Sequence, residues 1–137
     1  MVTKNFLYGL IAALVILCSF SSVQAEVKIF IGVGEHYMES ETETLSKAQE
    51  AAKLAAELNA MEQAQINVKS YSAAHNSNLT QDEIISITAG IMNITSVKYS
   101  LKEDFDGLPI MCAEVTAEID TDKIAELVER EIKRRAT

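Results

Sequence analysis

One of the chain's two cysteines, together with both of its histidines, has the residue types that could make an activated nucleophile. Cys112 lies in "PIMCAEV", His36 follows Glu35 in "GVGEHY", and His75 sits in "AAHNSN". Nucleophilic catalysis needs a thiol, a base within hydrogen-bond reach and a group that orients the base. No local signature joins these three residues, so a Cys–His hydrolase is the least favoured reading. Carboxylates with histidine could instead hold a divalent cation. Glu35, His36, Glu39 and Glu41 are clustered, and Asp120-Thr121-Asp122 has the look of a carboxylate pair for a hard ion. Neither group has EF-hand or zinc spacing. Asp120 and Asp122 are better explained as a helix cap and a first-turn acid, and the Glu/His group as a solvated loop. Gly32-Val33-Gly34 supplies a GxG after a strand, but Tyr37 stands where the phosphate-binding fingerprint needs its third glycine. No catalytic residue, metal site or cofactor is assigned, and the chain reads as a non-enzyme.

The elements that would position such residues begin after an export signal. Lys4 precedes an apolar run from Phe6 to Leu17 and then the polar, small "SFSSVQA". That run falls short of the roughly 20 apolar residues of a membrane span. Val23 and Ala25 occupy the two positions where a signal peptidase takes small side chains, which sets cleavage between Ala25 and Glu26. The competing site is Cys18, a lipid-acceptor candidate preceded by the large Leu17. Residues 1–25 are thus read as a signal peptide and 26–137 as one domain, exported to the periplasm or secreted, with an outer-membrane lipoprotein as the minority reading. Removing 25 of 137 residues leaves 112, enough to bury one core. Only Lys4 leaves the charge count, so 11 basic and 20 acidic residues remain, net −9. That sign disfavours nucleic acid and anionic lipid as partners, and membrane contact would follow only from lipidation of Cys18. Without Cys18, Cys112 has no intrachain partner and reads as a small buried hydrophobe.

Periodicity gives the order β-α-β-α-β-β-α, an α+β domain with a largely antiparallel sheet. In "EVKIFIGVGEH", Val27, Ile29, Ile31 and Val33 alternate with Lys28, Phe30, Gly32 and Gly34, a face whose glycines suit a close cover. Residues 40–65 read as a long helix with a Ser40/Glu43 capping box and a Glu43–Lys47 pair. Steps of about 100° put Ala48, Ala52, Ala55 and Asn59 on one thin stripe, continued by Ile66. "INVKSYSAA" reads as a short strand and "HNSNL" as a loop. Thr80 and Glu83 box the start of a helix "QDEIISITA", and Gly90 is placed to end it in a left-handed cap. Two alternating runs around "DFDG" read as a hairpin, with Pro109 near a strand start. Met111, Ala113, Val115, Ala117 and Ile119 share one face of the second run; Cys112, Glu114, Thr116 and Glu118 share the other. The C-terminal segment is an amphipathic helix with Asp120 or Thr121 as cap and an apolar stripe of Ile124, Leu127, Val128 and Ile132. Three ion pairs have favourable spacing along it: Glu126–Arg130, Glu129–Lys133 and Glu131–Arg135. Lys133, Arg134 and Arg135 complement its dipole.

Asn59 is the candidate buried polar residue, an amide on a buried stripe that must find partners and is fit to tie the helix to backbone nearby. The candidate interaction face is the wetter side of the sheet around Cys112, Glu114, Thr116 and Glu118, or an exposed strand edge.

The order of "GVGE", "AQEAAKLAAELNAMEQA", "VKSYS", "ITAGIM" and "AEVTAEID" behind a signal sequence resembles the N-terminal domain of flagellar assembly protein T and the LPP-twenty-like bacterial envelope lipoproteins. The resemblance covers nearly all of residues 27–122. It implies an exported, non-enzymatic domain of the cell envelope that binds a protein partner or a second copy of itself, and it supplies no catalytic residues. The alternative is a periplasmic binder of a small ligand or divalent cation through Glu35, His36 and Glu39.

Overall fold

The computed structural model describes residues 26–39, 42–66 and 79–137. Their order is β1 (Val27–Tyr37), α1 (Leu45–Ile66), α2 (Gln81–Ala89), β2 (Asn93–Glu103), β3 (Pro109–Asp120) and α3 (Thr121–Ala136). The three strands form one antiparallel sheet in the order β1-β3-β2, which makes this an α+β domain. The central strand is therefore the most apolar run, and its inward face is Met111, Ala113, Val115, Ala117 and Ile119, all buried. "DFDG" makes the hairpin turn: Asp104 Oδ1 accepts from the Asp106 and Leu108 amides, both at 2.9 Å, and Gly107 takes the positive φ of 75° that the turn requires.

α1 lies on β1 and β3 at very short range. A Cβ added to Gly32 would come within 2.0 Å of the Ala56 carbonyl oxygen, and one added to Gly34 within 2.3 Å of that of Ala52. Glycine on the strand and alanine on the helix thus let two backbones touch, and dispersion across that contact replaces the area that larger side chains would bury. The buried stripe is Ala48, Ala52, Ala56, Ala60 and Ala64. This corrects the expected line through Ala55, Asn59 and Ile66: Ala55 and Asn59 are half-buried and Ile66 is exposed. The contact follows the i, i+4 ridge, which runs oblique to the helix axis, and so departs progressively from a stripe drawn parallel to it.

The start of α1 also differs from expectation. The helix opens at Leu45, with Thr44 Oγ1 accepting from the Lys47 amide at 3.3 Å; Ser40 lies outside the described residues, and Glu43 turns to His36 rather than Lys47. The strand expected from Ile66 onward lies outside them as well, except that Ile66 itself closes α1. So do the signal segment, Cys18, Ala25 and His75. Leu79, placed in a loop by its neighbours, belongs to the core.

α2 has the expected capping box, Thr80 Oγ1 accepting from the Glu83 amide and Glu83 Oε2 from the Thr80 amide. Gly90 departs from expectation, since its φ of −67° and ψ of −17° are right-handed. Asp120 caps α3 by accepting from the Lys123 amide at 2.9 Å. Ile124 and Val128 face the core, while Leu127 and Ile132 are only partly covered. Glu126–Arg130 and Glu131–Arg135 form, whereas Glu129 and Lys133 make no ion pair among the described residues. Arg135 instead reaches across to Glu83 at 2.7 Å, strapping the end of α3 to the start of α2.

Candidate functional site

All three helices pack on one side of the sheet, and the other side is open. On that side β1 presents Val27, Ile29, Ile31 and Val33, each at least 52% exposed. Its glycine face is the one chosen for the core, because only that face admits the backbone of α1. A row of four β-branched side chains is left in water as a result. Ile29 lies opposite Glu118, Ile31 opposite Thr116 and Val33 opposite Glu114, so the apolar row is flanked by the predicted polar one. Beyond it, Lys98 pairs in register with Glu114 and Ser100 with Cys112. Apolar, acidic and basic rows thus run side by side across about three strands.

Glu114, Thr116 and Glu118 are half-buried on this face. Cys112 shares the face but is not accessible on it, which corrects its place in the expected interaction surface: it is 5% exposed. Its thiol points to Glu35 Oε1 at 3.8 Å, and the same oxygen binds Lys102 Nζ at 3.3 Å. That carboxylate, with the cysteine sulfur beside it, holds the Lys102 ammonium above its usual value. Val33, Lys98, Ser100, Lys102, Cys112 and Glu114 surround a depression of about 410 Å³.

The geometry separates the residues that chemistry would need together. Strand alternation sends Cys112 and Glu35 to the open face and His36 to the helix side, where His36 Nε2 lies 2.6 Å from Glu43 Oε1. His36 is therefore not the base of a Cys112 dyad, and Glu35 and His36 do not converge on one ion. Among the described residues no three His, Cys, Asp or Glu side chains are placed to hold a metal. Gly32 and Gly34 are occupied by packing against α1, not by a phosphate loop. No described helix is long and apolar enough to cross a membrane.

Asn59 is half-buried at the margin of the helix–sheet contact. Its Oδ1 accepts from the Val33 amide at 3.1 Å and from Gln63 Nε2 at 2.9 Å, while Gln63 Nε2 also donates to the Ile31 carbonyl at 2.9 Å. Two side chains one helical turn apart thereby satisfy an outward N–H and an outward C=O of an edge strand. They occupy the groups that an added strand would use. The β2 edge is guarded differently, by a register irregularity at Ile94/Ser96 and by Lys98 and Lys102.

The apolar row escaped sequence reasoning, which placed the interaction surface on β3 or at an edge. The signal for it was the glycine pair: a strand with two glycines on one face must turn its larger side chains to the other. No protein-family model, no curated protein and no solved structure matches the chain.

Proposed function

We propose that this chain is an exported, non-catalytic binding or assembly module of the bacterial cell envelope, and that the open face of its sheet is the binding surface. The observation that carries the reading is the row Val27, Ile29, Ile31 and Val33 beside Glu114, Thr116 and Glu118. Full burial of an aliphatic side chain is worth roughly 1.5–3 kcal/mol, so covering four half-exposed ones offers about 3–6 kcal/mol before the costs of association. Covering the face would also add the second packed layer that the sheet has only on its helical side. Export rests on the N-terminal signal pattern, and the envelope setting on that pattern together with the resemblance to flagellar assembly protein T and the LPP-twenty-like lipoproteins. Cleavage at Ala25 would release the domain, and lipidation of Cys18 would anchor it.

Charge reversal at Glu114 and Glu118 tests the surface. Purified residues 26–137 with both changed to lysine are compared with the parent by sedimentation velocity and by co-purification from the native host. Loss of a self-associated or partner-bound species supports the reading. Retention of the same species at the same strength removes the sheet face from it.

A further inference from the structure

The helical layer carries a second surface, which owes nothing to the sheet face. Between α2 and α3 runs a groove of about 490 Å³, within the range of small-molecule sites. Leu79, Ile87, Ile91 and Leu127 give it apolar walls, and Arg130 and Arg134 stand on its rim. Three arginines and two glutamates line it, and Glu126, the partner of Arg130, balances the charges, so an entering anion would be met by guanidinium N–H groups left over from the ion pairs rather than by a net positive field. The cations are not exhausted by their ion pairs. Arg130 commits only Nη2, to Glu126, and Arg134 commits Nε and Nη2 to Glu131, leaving Nη1. Both side chains are largely exposed and lie one turn apart on the same helix face.

Gly90 supplies an independent observation. Its backbone is right-handed, and a Cβ there would meet nothing nearer than the Ile87 carbonyl oxygen at 3.4 Å. Neither conformation nor internal packing asks for glycine at this position. Gly90 does line the groove, where a side chain would take up the room.

We infer that the groove between α2 and α3 binds a single-chain anionic amphiphile, its acyl chain along Leu79, Ile87, Ile91 and Leu127 and its carboxylate or phosphate on Arg130 and Arg134. The remaining guanidinium N–H groups suit either headgroup because carboxylate and phosphate oxygens both accept charge-assisted hydrogen bonds. A fatty acid and a lysophospholipid share this chemistry.

Residues 26–137 are titrated calorimetrically with dodecanoate, with 1-lauroyl lysophosphatidate and with neutral dodecyl maltoside, each below its micellar concentration. Saturable binding at one site per chain is expected for at least one of the two anions, and which of them binds identifies the headgroup. Octanoate should bind at least about tenfold more weakly than dodecanoate if the carboxylate is the headgroup, since each buried methylene contributes. Gly90→Leu should abolish binding while leaving the circular dichroism spectrum unchanged. Arg130→Gln with Arg134→Gln should weaken the anion about tenfold or more, and this pair keeps the test decisive should the leucine variant fail to fold. The inference is overturned if neither anion saturates a site, if dodecyl maltoside binds as tightly as the anions, or if the double arginine variant binds as the parent does.

Discussion

Gly32 and Ala56 meet backbone to backbone: a single added methyl on Gly32 would fall 2.0 Å from the Ala56 carbonyl oxygen. This contact decides the architecture of the site. It draws α1 onto the glycine face of β1, and strand alternation then turns Val27, Ile29, Ile31 and Val33 outward.

Gly32→Ala should accordingly destabilise the domain by about 3 kcal/mol or more, at the upper end of overpacking costs, because the obstacle is a carbonyl and not a movable side chain. Urea denaturation measures the shift in midpoint. Gly90→Ala, which meets only ordinary contacts, serves as the control and should leave stability equal or slightly raised. Equal midpoints for the Gly32 variant and the parent would mean that the helix does not lie where it is described.

Asn59→Ala removes the acceptor for the Val33 amide and should cost about 1–2 kcal/mol, the range for leaving a backbone donor unmet. Hydrogen exchange gives a more specific reading than stability alone. The Val33 amide should exchange faster in the variant while amides at the centre of β3 keep their protection. The freed edge should also raise self-association at high concentration. Unchanged Val33 exchange would show that Asn59 does not cap the strand.

The strap between α2 and α3 should respond to acid. Hydrogen bonds from Arg134 and Arg135 hold the Glu131 carboxyl down to about 2, and Arg135 together with the Thr80 amide lowers that of Glu83. A carboxyl depressed in the folded state contributes stability that is full above its unfolded value, about 4.3 for glutamate. That contribution is lost as pH falls through the folded value. Glu131 shares α3 with both of its arginines and so steadies the last turn, whereas the contact that docks α3 on α2 is Glu83–Arg135; that docking should loosen progressively as pH falls below about 4.3 and Glu83 takes up a proton. Carbon-13 titration of the Glu131 carboxyl checks the value, and 1 M salt should weaken the strap because none of its members is buried. Titration near 4.3 would dissolve the argument.

Much of the fold was legible in the sequence because local rules agree with one another there. The Thr80/Glu83 box, the Asp120 cap, the "DFDG" turn and the inward row from Met111 to Ile119 are each fixed by chemistry within a few residues. What escaped depends on how elements meet. The alanine stripe slips from Ala55 to Ala56 because contact follows an oblique ridge set by the crossing of helix and strand. Gly90 looks like a left-handed cap by residue type and is not one by conformation. The glycine face of β1 reads as suited to a close cover, but hydrophobic alternation does not say that the opposite row is then left without a cover of its own. Glycine, nearly invisible on a hydropathy scale, made the choice. Cys112 illustrates the converse, a thiol on the wet face that Glu35 and Lys102 nevertheless accompany in a covered position.

The most direct test of the sheet face as binding surface is site-resolved photo-crosslinking in the native host, with the reactive residue at Ile29 and, separately, at Leu54 on the outer side of α1. Both positions are more than 60% exposed, so exposure alone predicts equal labelling. The open-face account predicts one discrete adduct from Ile29, none from Leu54, and loss of the Ile29 adduct when Ile31→Lys is added. That last variant should leave the unfolding free energy within about 0.5 kcal/mol of the parent, as expected for an exposed site. Equal adducts from both positions, or an Ile29 adduct indifferent to Ile31→Lys, would contradict the account.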